Sequence, residues 1–117
     1  MKFITFVTTT NGAEVGAPPP ALMQALAELG AQAGISLLET GGMSDTGKVH
    51  VRGRQVIVDG PFAESKELVG GYGIYELASQ EEIIDWAQRF AEVHRQHWPA
   101  WEGEIVIQQL HNFSMPG

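Results

Sequence analysis

Asp59 and Glu67 are the carboxylates whose setting points to chemistry. They bracket the stretch Asp59-Gly60-Pro61-Phe62-Ala63-Glu64-Ser65-Lys66-Glu67, which ends in a run of charges at Glu64, Lys66 and Glu67. A carboxylate that loses water beside an apolar group has its pKa raised and can abstract a proton. Lys66, the nearby Tyr72 or a histidine could then stabilise the oxyanion that develops. Phe62, the one large apolar side chain of the stretch, is expected to anchor it into a core. With Glu64, Lys66, Tyr72 and His97 it is expected to line a ligand site beside the candidate catalytic pair Asp59 and Glu67. The alternative is a rigid turn carrying solvated charges: Asp-Gly favours a turn, and Pro61 fixes φ and removes a donor.

Other chemistries find less support. His94 and His97, three residues apart on a helical pattern, could approach one metal, with Glu102 or His111 recruited as a third ligand. The zincin spacing is absent, and no metal site is expected. There is no cysteine, so disulfides, zinc thiolates and cysteine nucleophiles are excluded. No serine sits in a Gly-x-Ser-x-Gly elbow, and Gly41-Gly42 is not followed by Gly-Lys-Ser/Thr, so neither serine hydrolysis nor a phosphate loop is indicated. No cofactor is expected.

The elements that must position these residues follow from periodicity. Residues 2–8 read as a strand apolar on both faces, with Phe3 and Val7 on one and Ile4 and Phe6 on the other. Residues 9–20 read as a loop, long enough to serve as a lid or a pocket rim. Leu22, Leu26, Leu29 and Ala33 give a helix over 20–33 that stops at Gly34. Residues 35–40 form a second strand, which Gly41-Gly42 releases. Over 48–58, valines alternate with polar residues around Gly53-Arg54. That suits a type II′ hairpin pairing Val51 with Val56, Val49 with Val58 and His50 with Ile57. Residues 68–78 form a glycine-interrupted strand in which Tyr72 could present its hydroxyl to a pocket. Ser79-Gln80-Glu81-Glu82 is a capping box opening a second helix, with Ile83, Ala87, Phe90 and His94 on one stripe. Trp98 and Trp101 read as an aromatic plug or a dimer contact. Residues 104–110 give a last strand, again apolar on both faces where it starts.

The chain has 117 residues, fitting a single domain over 1–117, with 14 acidic against 7 basic residues and a net charge of −7. An acidic chain repels phosphate backbones, so nucleic-acid binding is not expected. No apolar run is long enough for a membrane span. Met1–Val7 reads as a first strand and not as a signal peptide. A cytoplasmic location is expected.

The stretch 59–67 resembles the signature of the DGPF, or YCII-related, domain family. Leu38-Glu39-Thr40-Gly41-Gly42-Met43, Gly70-Gly71-Tyr72, Glu82-Ile83-Ile84-Asp85-Trp86-Ala87 and His97-Trp98-Pro99-Ala100-Trp101-Glu102-Gly103-Glu104 extend the resemblance over nearly the whole chain. It implies a ferredoxin-like α+β domain that dimerises face to face, a dimeric α/β barrel, and it implies no particular reaction. Some relatives are thought to use a His-Asp pair, but no histidine here maps onto a motif position. One branch carries Arg-Pro near the end of the last strand, where this chain has Gln108-Gln109. Relatives often accompany extracytoplasmic-function sigma factors.

Independently of that resemblance, the order β-α-β, hairpin, β-α-β predicts an antiparallel sheet with two helices on one face. Two helices cover one face only, so strands apolar on both faces call for a second copy in an isologous homodimer. Two functions follow. The first is a small organic molecule bound in a pocket at the dimer's sheet face, with proton-transfer chemistry of the isomerase or lyase kind seen in families of this fold. The second is a non-catalytic regulatory or interaction module associated with sigma-factor signalling.

Overall fold

The computed structural model describes residues 1–62 and 69–113. The chain runs β1 (Lys2–Thr9), α1 (Gly12–Val15), α2 (Pro20–Ala33), a 3₁₀ turn (Gly34–Ser36), β2 (Leu37–Met43), β3 (Lys48–Arg52), β4 (Gln55–Asp59), β5 (Gly70–Glu76), α3 (Gln80–His97) and β6 (Gly103–Leu110). Strands β2-β5-β1-β6 form a sheet in that order, antiparallel throughout, and β3-β4 form a separate two-stranded sheet. Each long helix therefore links two strands that flank a third. This is the ferredoxin-like arrangement expected of the order of elements.

The core lies between this sheet and the helices. Phe3, at 1% exposure, packs with Leu77 and Ile83, and Tyr75, Trp86 and Ile107 close over them. Pro20 at the start of α2 leaves no helical N–H unsatisfied, since the first donors of a helix have no partner anyway. At the start of α3, the Ser79 hydroxyl accepts from the Glu82 backbone N–H at 3.2 Å, and the Glu82 carboxylate accepts from the Ala78 N–H at 3.1 Å. The box thus reaches one residue further back than the reciprocal form, which would engage the N–H of Ser79 itself.

Three boundaries differ from the sequence reading. The loop over 9–20 contains the short helix α1. The second strand starts at Leu37, after the 3₁₀ turn, and Gly41-Gly42 lie inside it, because β5 supplies partners as far as Met43. The strand expected over 68–78 spans Gly70–Glu76.

The β3–β4 hairpin has the expected register, Arg52 opposite Gln55 through Val49 opposite Val58, and Gly53 takes φ +61° as the first turn position. It projects as an arm: its strands hold each other, and among the described residues no helix or strand lies broadly against them. The radius of gyration is 16.9 Å, against about 13 Å for a compact chain of this length. At the arm's base Gly60 adopts φ +134°, and a Cβ there would come within 2.9 Å of the Gly47 Cα and 3.1 Å of the Thr46 carbonyl oxygen. Only glycine lets the two strands of the base cross so closely. No helix among the described residues is long and apolar enough to cross a membrane.

Candidate functional site

The strand registers assign the two faces of the sheet. Phe3 and Thr5 are buried under the helices, so their neighbours Ile4 and Phe6 point to the opposite face, on which neither long helix packs. Two rows cross all four strands there. One is Gly41, Tyr72, Phe6, Val106; the next is Glu39, Ile74, Ile4, Gln108. The centre of this open face is apolar. Lys2, Glu76 and Glu104 stand on its margins at positions of the same parity.

Tyr72 and Glu39 form the polar corner of that face. They meet because a register shift between Leu37 and Glu39 turns Glu39 toward the open side. Without this irregularity Glu39 would share a face with Leu37, which lies opposite Tyr75 on the helix side. Gly41, directly across from Tyr72, makes room for the ring: a Cβ at Gly41 would lie 2.9 Å from Cε1 and 3.2 Å from the hydroxyl oxygen of Tyr72. The ring therefore leans over Gly41, on the same face of the sheet as Glu39. Desolvation first, then the neighbouring Glu39 carboxylate, push the Tyr72 pKa above its ordinary value of 10.0. The phenol stays protonated at neutral pH and serves as a donor. On strand β2, the Thr40 hydroxyl donates to the Tyr72 carbonyl at 2.9 Å and ties the neighbouring backbone.

Sequence reasoning singled out Tyr72 and missed Glu39. The signal was thin, since the bulge that presents Glu39 leaves no pattern in Leu37-Leu38-Glu39. The other expected site residues are not gathered here. Asp59 is the last residue of β4 and is exposed on the arm. Phe62 does not enter the core: it is 37% exposed, and what holds it is its backbone, which donates to the Thr46 carbonyl at 2.6 Å. Glu64, Lys66 and Glu67 lie outside the described residues. His97 is exposed at the end of α3, on the helix layer, where it borders an open 720 Å³ groove between α2 and α3 together with Arg89 and Glu92. Tyr72 and His97 thus belong to opposite sides of the sheet.

His94 is a core residue. Its Nδ1 lies 2.9 Å from the Phe90 carbonyl, and its ring packs between Phe90 at 4.7 Å and Trp101 at 4.4 Å. The aromatic plug takes shape around it: Trp98 stacks on Trp101 at 6.5 Å, and the Trp101 indole donates to the Thr9 hydroxyl at 2.8 Å. Asn11 clamps the same corner. Its amide donates to the Ala100 carbonyl at 2.9 Å, and its side-chain oxygen accepts from the Glu102 N–H at 2.9 Å. Among the described residues, no three His, Asp or Glu side chains converge as metal ligands.

Comparison with known proteins places the chain. An uncharacterized protein of Rhizobium meliloti (strain 1021) is 41% identical over 39 residues, 33% of this chain and 32% of that protein, so the match spans about a third of the relative's length. Among solved structures, CPII bound to ADP and bicarbonate, from Thiomonas intermedia K12, is similar over 93% of this chain and 84% of that one, at 9% identity and a TM-score of 0.38. The model of the YCII-related domain matches residues 1–100, which take in every element except β6. The chain belongs to the YCII-related domain family.

Proposed function

We propose that this chain pairs with a second copy across the open sheet face and binds a small organic molecule in the enclosed space. The observation that carries the reading is the open face itself, an apolar centre of Ile4, Phe6, Ile74 and Val106 with one polar corner at Tyr72 and Glu39. Apolar walls with a few placed polar groups are what small-molecule sites require. The margins hold Glu39, Glu76 and Glu104 against Lys2, so a neutral or cationic molecule suits the face better than an anion. The corner also has the two parts of a proton transfer: the Glu39 carboxylate accepts a proton from the ligand, and the Tyr72 hydroxyl donates a hydrogen bond to the oxygen that gains charge. This pair is better placed for the role than Asp59, which sits on the arm.

The test is a thermal-shift screen of neutral and cationic cyclic compounds against the native protein, Tyr72→Phe and Glu39→Gln. Hits that raise the Tm of the native protein and lose their effect in both variants support the reading. Hits that stabilise all three equally place the ligand elsewhere and overturn it. Finding no stabilising compound favours the other reading, an interaction module, to which the exposed apolar arm lends its own support.

A further inference from the structure

The β3–β4 arm exposes an apolar face that no helix or strand among the described residues covers. Val49, Val51, Val56 and Val58 stand together on one side of the hairpin at 67%, 77%, 67% and 68% exposure. Isolated two-stranded hairpins are marginal in water, and a contiguous valine patch on one is costly to leave wet. The arm also differs in charge from the body that carries it. Residues 48–59 include Lys48, Arg52 and Arg54, three of the chain's seven Lys and Arg, and a single acid, Asp59. The arm is therefore net +2, and the rest of the chain, with four cations against thirteen acids, is net −9. Histidine is counted neutral in both.

From the valine face and the charge contrast together, we infer that each arm crosses to a second copy of this chain and lays its valines against that copy's body beside the acid-rimmed open sheet. The charges name the occupant. A basic arm on an acidic body is self-complementary between two copies, and a two-fold pair satisfies both arms at once. The arm is also rooted in the right place. It leaves the sheet beyond Met43 and Gly70, at the end of the face that bears Tyr72, where the Val69 N–H donates to the Met43 carbonyl at 2.8 Å. Lys48, His50 and Arg52 share the hairpin side opposite the valines, and Arg54 sits in the turn. These cations steer the approach, and the valines hold the contact. The inference rests on the pairing of copies in the function proposed above and adds the arm as the element that fastens it.

The experiment compares the full chain with three variants by sedimentation velocity over a concentration series at low and high salt. Hydrogen exchange of residues 48–59 is followed in parallel. Val51→Asp/Val56→Asp is expected to raise the Kd for self-association by roughly a hundredfold. Its circular dichroism and the exchange protection of β1 and α3 should stay native, because these valines touch no core. Arg52→Glu/Arg54→Glu is expected to weaken association at low salt and much less at high salt. In the native protein, amides of 48–59 should gain protection as concentration rises. The third variant, Phe6→Asp, probes the sheet face separately. Dissociation by Phe6→Asp with no effect of the valine changes overturns the arm and leaves the sheet-face reading standing. The opposite pattern supports the arm and sinks the sheet-face reading. Arm amides that exchange at one rate at every concentration, in a native protein that does associate, leave the arm free for a different partner and overturn the inference.

Discussion

Acidification should destabilise this chain through His94, and the size of the effect follows from where the ring sits. The side chain is 5% exposed and packed between Phe90 and Trp101. Burial pushes its pKa below the ordinary 6.5, and the Phe90 carbonyl, which favours the protonated ring, opposes this more weakly. The unfolded chain therefore takes up a proton near pH 6.5 that the folded chain resists. Stability is complete above about pH 6.5 and is lost as pH falls toward the folded pKa, at up to about 1.4 kcal/mol per pH unit from this one group. The assay is urea denaturation between pH 7.5 and 5 at fixed protein concentration, for the native protein and His94→Phe. The substitution keeps an aromatic ring in the stack and removes the titration; any overpacking it introduces is a constant offset, about 1–3 kcal/mol. The carboxylates are common to both proteins and cancel in the difference. The native protein should lose stability relative to His94→Phe as pH drops below about 6.5. A difference that stays level from pH 7.5 to 5, or that changes sign, refutes the reasoning.

Other perturbations probe the frame and the site. Phe3→Ala, in the core at 1% exposure, should cost about 3–5 kcal/mol in urea denaturation. Ser79→Ala removes the hydroxyl that caps α3 at the Glu82 N–H and should cost about 1 kcal/mol by the same measurement. Gly41→Ala places a methyl 2.9 Å from Tyr72 Cε1, well inside the roughly 3.5–4.0 Å at which carbon atoms rest. The ring must swing off its seat and away from Glu39. An ultraviolet titration should then show the Tyr72 midpoint falling back toward 10.0, and an unchanged midpoint would mean that Gly41 does not seat the ring.

The hairpin and α3 were legible because their information is local. Alternating valines around a glycine-first turn allow one register, and Ser79 with Glu82 marks a helix start within four residues. The open face was legible for a related reason: Phe3 and Ile4 are adjacent, and one set of helices cannot cover both. What was hidden depends on distant partners. Gly41-Gly42 looked like an exit from the strand until β5 supplied their pairing. Glu39 reaches Tyr72 only through a bulge that the sequence does not announce. Phe62 is the only large apolar residue of its stretch, which suggested an anchor, yet the arm's base is held by backbone bonds and a glycine crossing. The clamp of Asn11 on Ala100 and Glu102 joins residues about ninety positions apart, beyond the reach of any local pattern.

Everything proposed for the site depends on the open sheet face being covered by a second copy. The direct measurement is the mass in solution by light scattering coupled to size exclusion, at micromolar concentration and moderate salt. Twice the 12.7 kDa of one chain is expected, with Phe6→Asp shifting the mass toward one chain. A native protein that holds the mass of a single chain across the concentration range would contradict the proposal.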